Sequence, residues 1–151
     1  MKNFSSIDEV LDFAINAEQE AVDFYNQLAE NAKTEDMQHV FTSFAQEEIS
    51  HKARLTQIKK EGSYKAEPRH IADLKISNYM VDIKPTPDMT YQDALVLAMN
   101  KEKAAFKLYY DLAKVAHNTE MRDVFLSLAQ EESKHKLRFE IEYDEYVLRE
   151  N

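Results

Sequence analysis

An eight-residue stretch that occurs twice constrains this chain more than any other feature. Residues 45–52 and 129–136 differ at only two positions, and both copies contain the pattern Glu-x-x-His. Three residues are close to one turn of an α-helix, so the Glu and the His of each copy share one helix face. A carboxylate oxygen and an imidazole nitrogen on one face can bind the same metal ion. The remainder of the chain is therefore interpreted as a scaffold that brings these two turns together.

The duplication extends over a whole helical hairpin. With an offset of 84 residues, Glu18 aligns with Glu102 and Tyr25 aligns with Tyr109, and about half of the positions between 14 and 54 are identical to their counterparts. One hairpin cannot bury its own apolar face, so a repeated hairpin predicts two units that pack against each other. The expected fold is all-α, an antiparallel four-helix bundle made of two hairpins.

Capping residues and helix breakers set the expected boundaries. The chain has one Gly and three Pro, which favours a nearly all-helical structure. Residues 62–89 contain all four of these breakers and are interpreted as a crossover that links the hairpins along the length of the bundle, with a short helix within 69–77. A single domain over residues 1–151 results, with hairpins at 6–61 and 90–147. The expected caps and turns are Ser6, Thr34, Gly62, Thr90 and the pair Asn118 and Thr119.

Distances along the chain predict that six side chains meet at one level of the bundle. Glu18 lies 16 residues before the turn at Thr34, while Glu48 and His51 lie 14 and 17 residues after it. Antiparallel helices share one rise per residue, so the three side chains lie at similar heights. The same three separations, measured from Asn118, hold for Glu102, Glu132 and His135.

Four buried carboxylates require cations between them. Each desolvated charge costs several kcal/mol, roughly, and like charges add repulsion. Two divalent metal ions remove this cost, and a set of oxygen ligands with one imidazole per metal suits iron or manganese, with zinc also accepted. Symmetry makes Glu48 and Glu132 bridging ligands, and it makes Glu18, His51, Glu102 and His135 ligands of single metals. The alternative without metal is a pair of buried Glu–His ion-pair networks.

Composition excludes several classes of function. The net charge of −9 disfavours nucleic acid and anionic membranes as partners. The chain contains no run of about 18 apolar residues, so no membrane span is predicted. The absence of cysteine excludes disulfides, iron–sulfur clusters and a four-thiolate iron site within the chain, and it fits a reducing compartment. The first nine residues lack the apolar core of a signal peptide, so a cytoplasmic protein is expected.

With these motifs, the chain resembles the rubrerythrin-like branch of the ferritin-like superfamily. The resemblance depends on Ala14-x-x-x-Glu18 with Phe24-Tyr25, on Glu48-x-x-His51, and on their counterparts in the second hairpin. It implies a ferritin-like bundle with two iron ions that react with hydrogen peroxide or dioxygen, commonly in a dimer. Tyr25 and Tyr109 would then donate hydrogen bonds to the ligand carboxylates, with ordinary core tyrosines as the alternative.

Two departures from the family pattern limit this resemblance. Rubrerythrins carry a rubredoxin domain, which needs cysteines that this chain lacks, so electrons are expected from an external donor such as a rubredoxin or a reductase. The family also has an additional glutamate ligand one turn after the third-helix glutamate, where this chain has Ala105. Ala21 occupies the equivalent position in the first hairpin. The expected function is a di-iron oxidoreductase of rubrerythrin type, with two alternatives: a ferroxidase or iron-storage protein, and a metal-stabilised interaction module without turnover.

The remaining candidates receive structural interpretations. Glu47 and Glu131 point away from the bundle axis on their own helices and are expected to face solvent. His39, His70 and His117 lie outside the repeated motif and are not expected to be metal ligands. The last helix is apolar on more than one face from Phe139 onwards, which predicts burial against the crossover or against a second chain. A homodimer is expected, and an exchange of hairpins between its two chains is compatible with the sequence.

Overall fold

The computed structural model describes residues 3–81 and 83–150, and it confirms an all-α bundle. The helices are α1 (Ile7–Glu30), α2 (Glu35–Glu61), α3 (Pro68–Ala72), α4 (Tyr91–Val115) and α5 (Thr119–Glu150), and a 3₁₀ turn spans Ile76–Asn78. α1 packs against α2 and α4 against α5. These pairs are the two antiparallel hairpins. None of the helices in the described part of the chain is long and apolar enough to cross a membrane.

Side chains and one glycine define the helix ends as the sequence predicts. The hydroxyls of Ser6, Thr34 and Thr90 accept hydrogen bonds from backbone N–H groups three residues ahead, at 3.0–3.1 Å. These bonds satisfy donors that have no partner inside the helix. Asn118 does the same for α5 through its side-chain oxygen, at 2.7 Å from the N–H of Met121. Gly62 ends α2 with φ of 63°, in the left-handed region.

The crossover is fixed to the second hairpin by specific hydrogen bonds. The Tyr64 hydroxyl donates to the carbonyl of Leu112 at 2.6 Å, and the Tyr79 hydroxyl donates to Asp111 at 2.7 Å. The short helix expected within 69–77 is divided into α3 and the 3₁₀ turn. Between them, Lys75 forms an isolated antiparallel bridge with Asn3, whose extended backbone is incompatible with a continuous helix.

Two apolar clusters occupy the interior and are equivalent under the repeat. One is built around Tyr25, Phe41 and Phe139. The other is built around Tyr109 and Phe125. Tyr25 and Phe41 align with Tyr109 and Phe125 at the offset of 84, so each hairpin contributes the same aromatic residues to a different cluster. The glutamates and histidines of the predicted site belong to neither cluster.

The C-terminal half of α5 covers its own bundle along part of its surface. Phe139 is fully buried and contacts Tyr25 and Phe41, with ring centroids 5.3 and 5.9 Å apart. Tyr146 packs edge-on against Tyr91 at 5.0 Å. The apolar residues at these positions are therefore explained within one chain, while Leu148 remains 75% exposed. Dimerisation stays a prediction.

Candidate metal centre

Six acidic and imidazole side chains from four helices are buried midway along the bundle. They are the six predicted from the sequence, and each is at most 2% exposed: Glu18, Glu48, His51, Glu102, Glu132 and His135. α1 and α4 each supply one glutamate, and α2 and α5 each supply a Glu-x-x-His pair. The structure therefore brings together every residue that the helix levels placed in the site.

The Nδ1 atoms of the two histidines face the carboxylates. His51 Nδ1 lies 3.1 Å from an oxygen of Glu18, 3.3 Å from Glu48 and 3.1 Å from Glu132. His135 Nδ1 lies 3.4 Å from Glu48, 3.4 Å from Glu102 and 3.8 Å from Glu132. Nδ1 is therefore the imidazole atom that is placed to bind a metal.

The ligand atoms form two overlapping groups, and within each group all of them lie within 4.8 Å of one another. One group contains Glu18, Glu48, His51 and Glu132, and the other contains Glu48, Glu102, Glu132 and His135. Glu48 and Glu132 belong to both groups, which supports their predicted role as bridging ligands. Each group would hold one metal ion with three carboxylates and one imidazole, a donor set that suits iron or manganese. Metal ligation by these residues remains a prediction.

Several buried polar atoms of this cluster have no hydrogen-bond partner within the chain. Both carboxylate oxygens of Glu48 and of Glu132 are in this state, as is Nδ1 of His135. Buried polar groups without partners are costly, at about 1–3 kcal/mol each. One divalent cation within each ligand group would satisfy these atoms, whereas ion pairs between the glutamates and histidines leave them without partners. The donor set therefore fits a two-metal centre better than the alternative without metal.

Electrostatics in the metal-free cluster favour proton uptake. Burial, together with the charge of Glu48, raises the pKa of Glu18 to about 8. The same two causes raise the pKa of Glu102 to about 7. Burial and the neighbouring carboxylates raise the pKa of Glu132 well above its ordinary value. Burial acts in the same direction on Glu48, yet its close contacts with the imidazoles of His135 and His51 lower its pKa.

The two imidazoles are held in their protonated form when no metal is bound. Burial alone would lower the pKa of His51, but the hydrogen bond with Glu18 and the contact with Glu48 raise it to about 10. Close contacts with the carboxylates of Glu102 and Glu48 likewise overcome burial and raise the pKa of His135 to about 10. Metal ions bind the deprotonated forms of these groups, so their binding releases protons.

Two tyrosines reach the site from the opposite hairpin. The hydroxyl of Tyr25 on α1 donates a hydrogen bond to Glu102 on α4. Tyr109 on α4 makes the reciprocal interaction with Glu18 on α1, and burial raises the pKa of both phenols. The phenols therefore orient the glutamates that each bind a single metal in the predicted assignment.

Two further carboxylates, which the sequence predicts to face solvent, are partly exposed and also contact the site. Glu131 lies 3.3 Å from Nε2 of His51, and Glu47 lies 3.2 Å from Nε2 of His135. Their side chains are 34% and 41% exposed. Neither contact has hydrogen-bond geometry. The negative charge beside Nε2 nevertheless favours the proton on that nitrogen, which leaves Nδ1 to bind metal. The Glu-Glu pair in both copies of the repeat was the available signal.

The other histidines take no part in the site. Among residues 3–81 and 83–150, the two groups above are the sets with metal-ligand geometry, and neither contains His39, His70 or His117.

A cavity of about 520 Å³ reaches the site from the side of α1 and α4. Its floor includes Glu48, Glu102 and Glu132, and residues 79–85 of the crossover contribute Tyr79, Met80, Val81, Ile83, Lys84 and Pro85. Small side chains on the facing helices leave the space open: Ala17, Ala21, Ala104 and Ala105. The cavity therefore reaches from the surface to the edge of the site, while these three carboxylates remain at most 1% exposed.

Comparisons with known proteins agree with this geometry. The family model for rubrerythrin matches residues 9–143. A solved structure from Thermotoga maritima, described as a ferritin-like diiron-carboxylate protein, superimposes with a TM-score of 0.77 at 19% identity, covering 97% of this chain and 99% of that one. A hypothetical protein from Pyrococcus furiosus superimposes with a TM-score of 0.76 at 26% identity, covering 92% and 89%. A search of curated proteins gave no match.

Proposed function

The chain belongs to the rubrerythrin family, and on this premise we propose that it is a di-iron carboxylate oxidoreductase. In this proposal it reduces hydrogen peroxide or dioxygen with electrons from an external donor. The observation that carries the proposal is the buried set of four glutamates and two histidines, several of whose atoms have no partner in the chain. When bound there, two iron ions supply the electrons for cleavage of the O–O bond.

The protein's own residues have separate tasks in this proposal. Glu48 and Glu132 would contribute to both metal sites, since their oxygens belong to both ligand groups. Tyr25 keeps Glu102 oriented, and its hydroxyl carries a proton that lies beside the site. Glu131 contacts the imidazole of His51 at Nε2, the atom that does not face the other ligands. The oxidant would enter through the cavity, whose lining includes neither histidine.

Electrons must come from another molecule. The chain has no cysteine with which to hold a rubredoxin-type iron of its own. A separate rubredoxin or a reductase would fill this role. A homodimer and a cytoplasmic location are part of the same proposal.

The test is anaerobic loading with iron(II), followed by rapid mixing with hydrogen peroxide or with dioxygen while the absorbance of the oxidised iron is recorded. The proposal expects two irons per chain and oxidation in a single fast phase. A Glu48→Gln variant is the matched control, because it removes a shared ligand and should abolish the fast phase. Failure of the unaltered protein to bind two metals would refute the proposal.

The second candidate is a ferroxidase that stores or buffers iron. Glu20 and Asp23 line the cavity, and the chain carries a net charge of −9, so iron(II) would be attracted to the opening. Iron uptake well beyond two ions per chain, with dioxygen as effective as peroxide, would favour this candidate. Saturation at two ions per chain would exclude it.

A further inference from the structure

The cavity above the site is larger than its proposed oxidants require. We infer that it binds an organic hydroperoxide, with the O–O group at the carboxylate floor and an apolar body along the walls. This inference rests on the proposed function and names its substrate class. It replaces a small inorganic oxidant with a molecule that the protein recognises by shape.

Size is the first argument. A water molecule occupies about 30 Å³ of liquid volume, and hydrogen peroxide and dioxygen are only slightly larger. The cavity measures about 520 Å³. Pockets that bind organic ligands measure roughly 300–1,000 Å³. A channel for small oxidants has no need of this volume, whereas an aryl or branched alkyl group would occupy it.

The chemistry of the walls is the second argument. Phe13 and Phe24 from α1 and Leu108 from α4 line the cavity, and the crossover adds Met80 and Ile83. Met80 is 48% exposed and Ile83 is 54% exposed, although both line the cavity. Burial of these side chains against an apolar ligand would be favourable, at about 25 cal/mol per Å² of area removed from water.

Lys101 provides a polar contact close to the floor. Its side chain is only 14% exposed, and the nearest carboxylate oxygen that it faces, from Glu20, is 4.0 Å away. The equivalent residue in the first hairpin is Ala17, which also lines the cavity, so α4 contributes an ammonium group where α1 does not. An oxygen of the hydroperoxide could accept a hydrogen bond from this group.

The proposed reaction is balanced by the external donor. The O–O bond of ROOH breaks, and two electrons and two protons yield the alcohol ROH and water. The electrons come from the reduced metal centre and are replaced by the donor, while the protons come from solvent. The small residues that open the cavity include Ala105, so a glutamate in its place would narrow the space that the organic group uses.

Binding can be tested without redox chemistry. Protein loaded with zinc, which is redox-inert, is titrated with cumyl alcohol, the product of cumene hydroperoxide, while the methionine methyl signals are followed by NMR. A saturable shift of the Met80 signal is expected. Ala104→Leu should weaken binding at least tenfold, because Ala104 lines the cavity. Ala53→Leu is the matched control: Ala53 is exposed on α2 outside the cavity, and its counterpart in the second hairpin is already Leu137.

Kinetics of the iron-loaded protein give the second readout. Ala104→Leu should slow the reaction with cumene hydroperoxide at least tenfold more than it slows the reaction with hydrogen peroxide. If this variant does not fold, a second variant serves: Ile83→Gln, in the crossover part of the cavity lining, should weaken binding of cumyl alcohol severalfold. Absence of binding to the zinc-loaded protein, or equal binding by the variants, would overturn the inference alone. A lack of reaction with either peroxide would overturn the proposed function, even where cumyl alcohol binds.

Discussion

Replacement of Glu132 by Gln is expected to raise the free energy of unfolding of the metal-free protein and to reduce the stabilisation that metal binding provides. Glu132 is 1% exposed, and burial with three neighbouring carboxylates raises its pKa well above the ordinary value of 4.5. At pH 7 the folded state therefore keeps this group neutral, while the unfolded state ionises it. Folding without metal must then include protonation of Glu132, and Gln removes this requirement because it is neutral and has nearly the same shape.

The size of the effect follows from the pKa difference. One pKa unit corresponds to about 1.4 kcal/mol, and pH 7 lies two and a half units above the ordinary value of 4.5. The free energy of unfolding of the metal-free Glu132→Gln variant should thus increase at pH 7, by at most about 3 kcal/mol. A group with a raised folded pKa contributes stability that is present below its unfolded pKa and is lost as the pH rises. The difference between variant and unaltered protein should therefore disappear near pH 4.5.

Metal reverses the sign of the effect. Ions that bind only the folded state stabilise it in proportion to their affinity, and Gln removes a carboxylate that belongs to both ligand groups. Urea unfolding, followed by circular dichroism in chelator and in manganese(II), measures both effects. Glu140→Gln is the control, because Glu140 is 45% exposed on the same helix and its loss should change stability by less than about 0.5 kcal/mol.

Two outcomes would refute this reasoning. A metal-free Glu132→Gln variant that is less stable than the unaltered protein at pH 7 would show that the buried carboxyl carries no protonation cost. A variant that manganese stabilises as much as the unaltered protein would show that Glu132 is not a ligand.

Three further predictions concern residues around the site and the ends of helices. Glu131→Gln should weaken metal binding about 10–100-fold without loss of helicity, because the Glu131 carboxylate lies beside Nε2 of His51. Competition with a chromogenic chelator measures the affinity, and an unchanged affinity would contradict the prediction. Burial raises the pKa of Tyr64 above its ordinary value of 10.0, so its contribution to stability is present below pH 10 and is lost as the pH rises further. Tyr64→Phe should therefore cost about 1 kcal/mol at pH 8, where the bond to Leu112 is lost, and reduce the decline above pH 10 in urea titrations. Gly62→Ala should reduce the free energy of unfolding by about 1–2 kcal/mol through backbone strain alone, because the φ of Gly62 is 63° and no atom beyond the adjacent residues lies within 4 Å of the added methyl. Gly62→Asn should reduce it less, and equal losses for the two variants would contradict this explanation.

The sequence predicts the bundle and the six-residue cluster because both depend on spacing along the chain. The cap residues Ser6, Thr34 and Thr90 act through groups three residues away, so a local pattern is sufficient to place them. The level of Glu18 against Glu48 depends only on the rise per residue and on the position of one turn. The offset of 84 then transfers this geometry to the second hairpin.

Contacts between the hairpins were beyond this kind of reasoning. Glu47 and Glu131 lie on the outer face of their own hairpins, and helix periodicity alone assigns such positions to solvent. The relative placement of the hairpins turns that face towards the histidine of the other hairpin. The partner of Tyr25 is across the bundle for the same reason. The cavity likewise depends on the spacing of α1 and α4, which no pattern within one helix specifies.

The overlap of the two ligand groups also bears on how such a chain could originate. Each group takes three residues from one hairpin and a single bridging glutamate from the other. One hairpin alone therefore holds an incomplete set, while two identical copies would hold a complete one. An ancestral gene that encoded a single hairpin would already specify a working centre as a two-chain assembly, with metal as the bond between its halves. Fusion of two such genes would then convert an encounter between molecules into an intramolecular fold, and divergence of the copies would become open to selection.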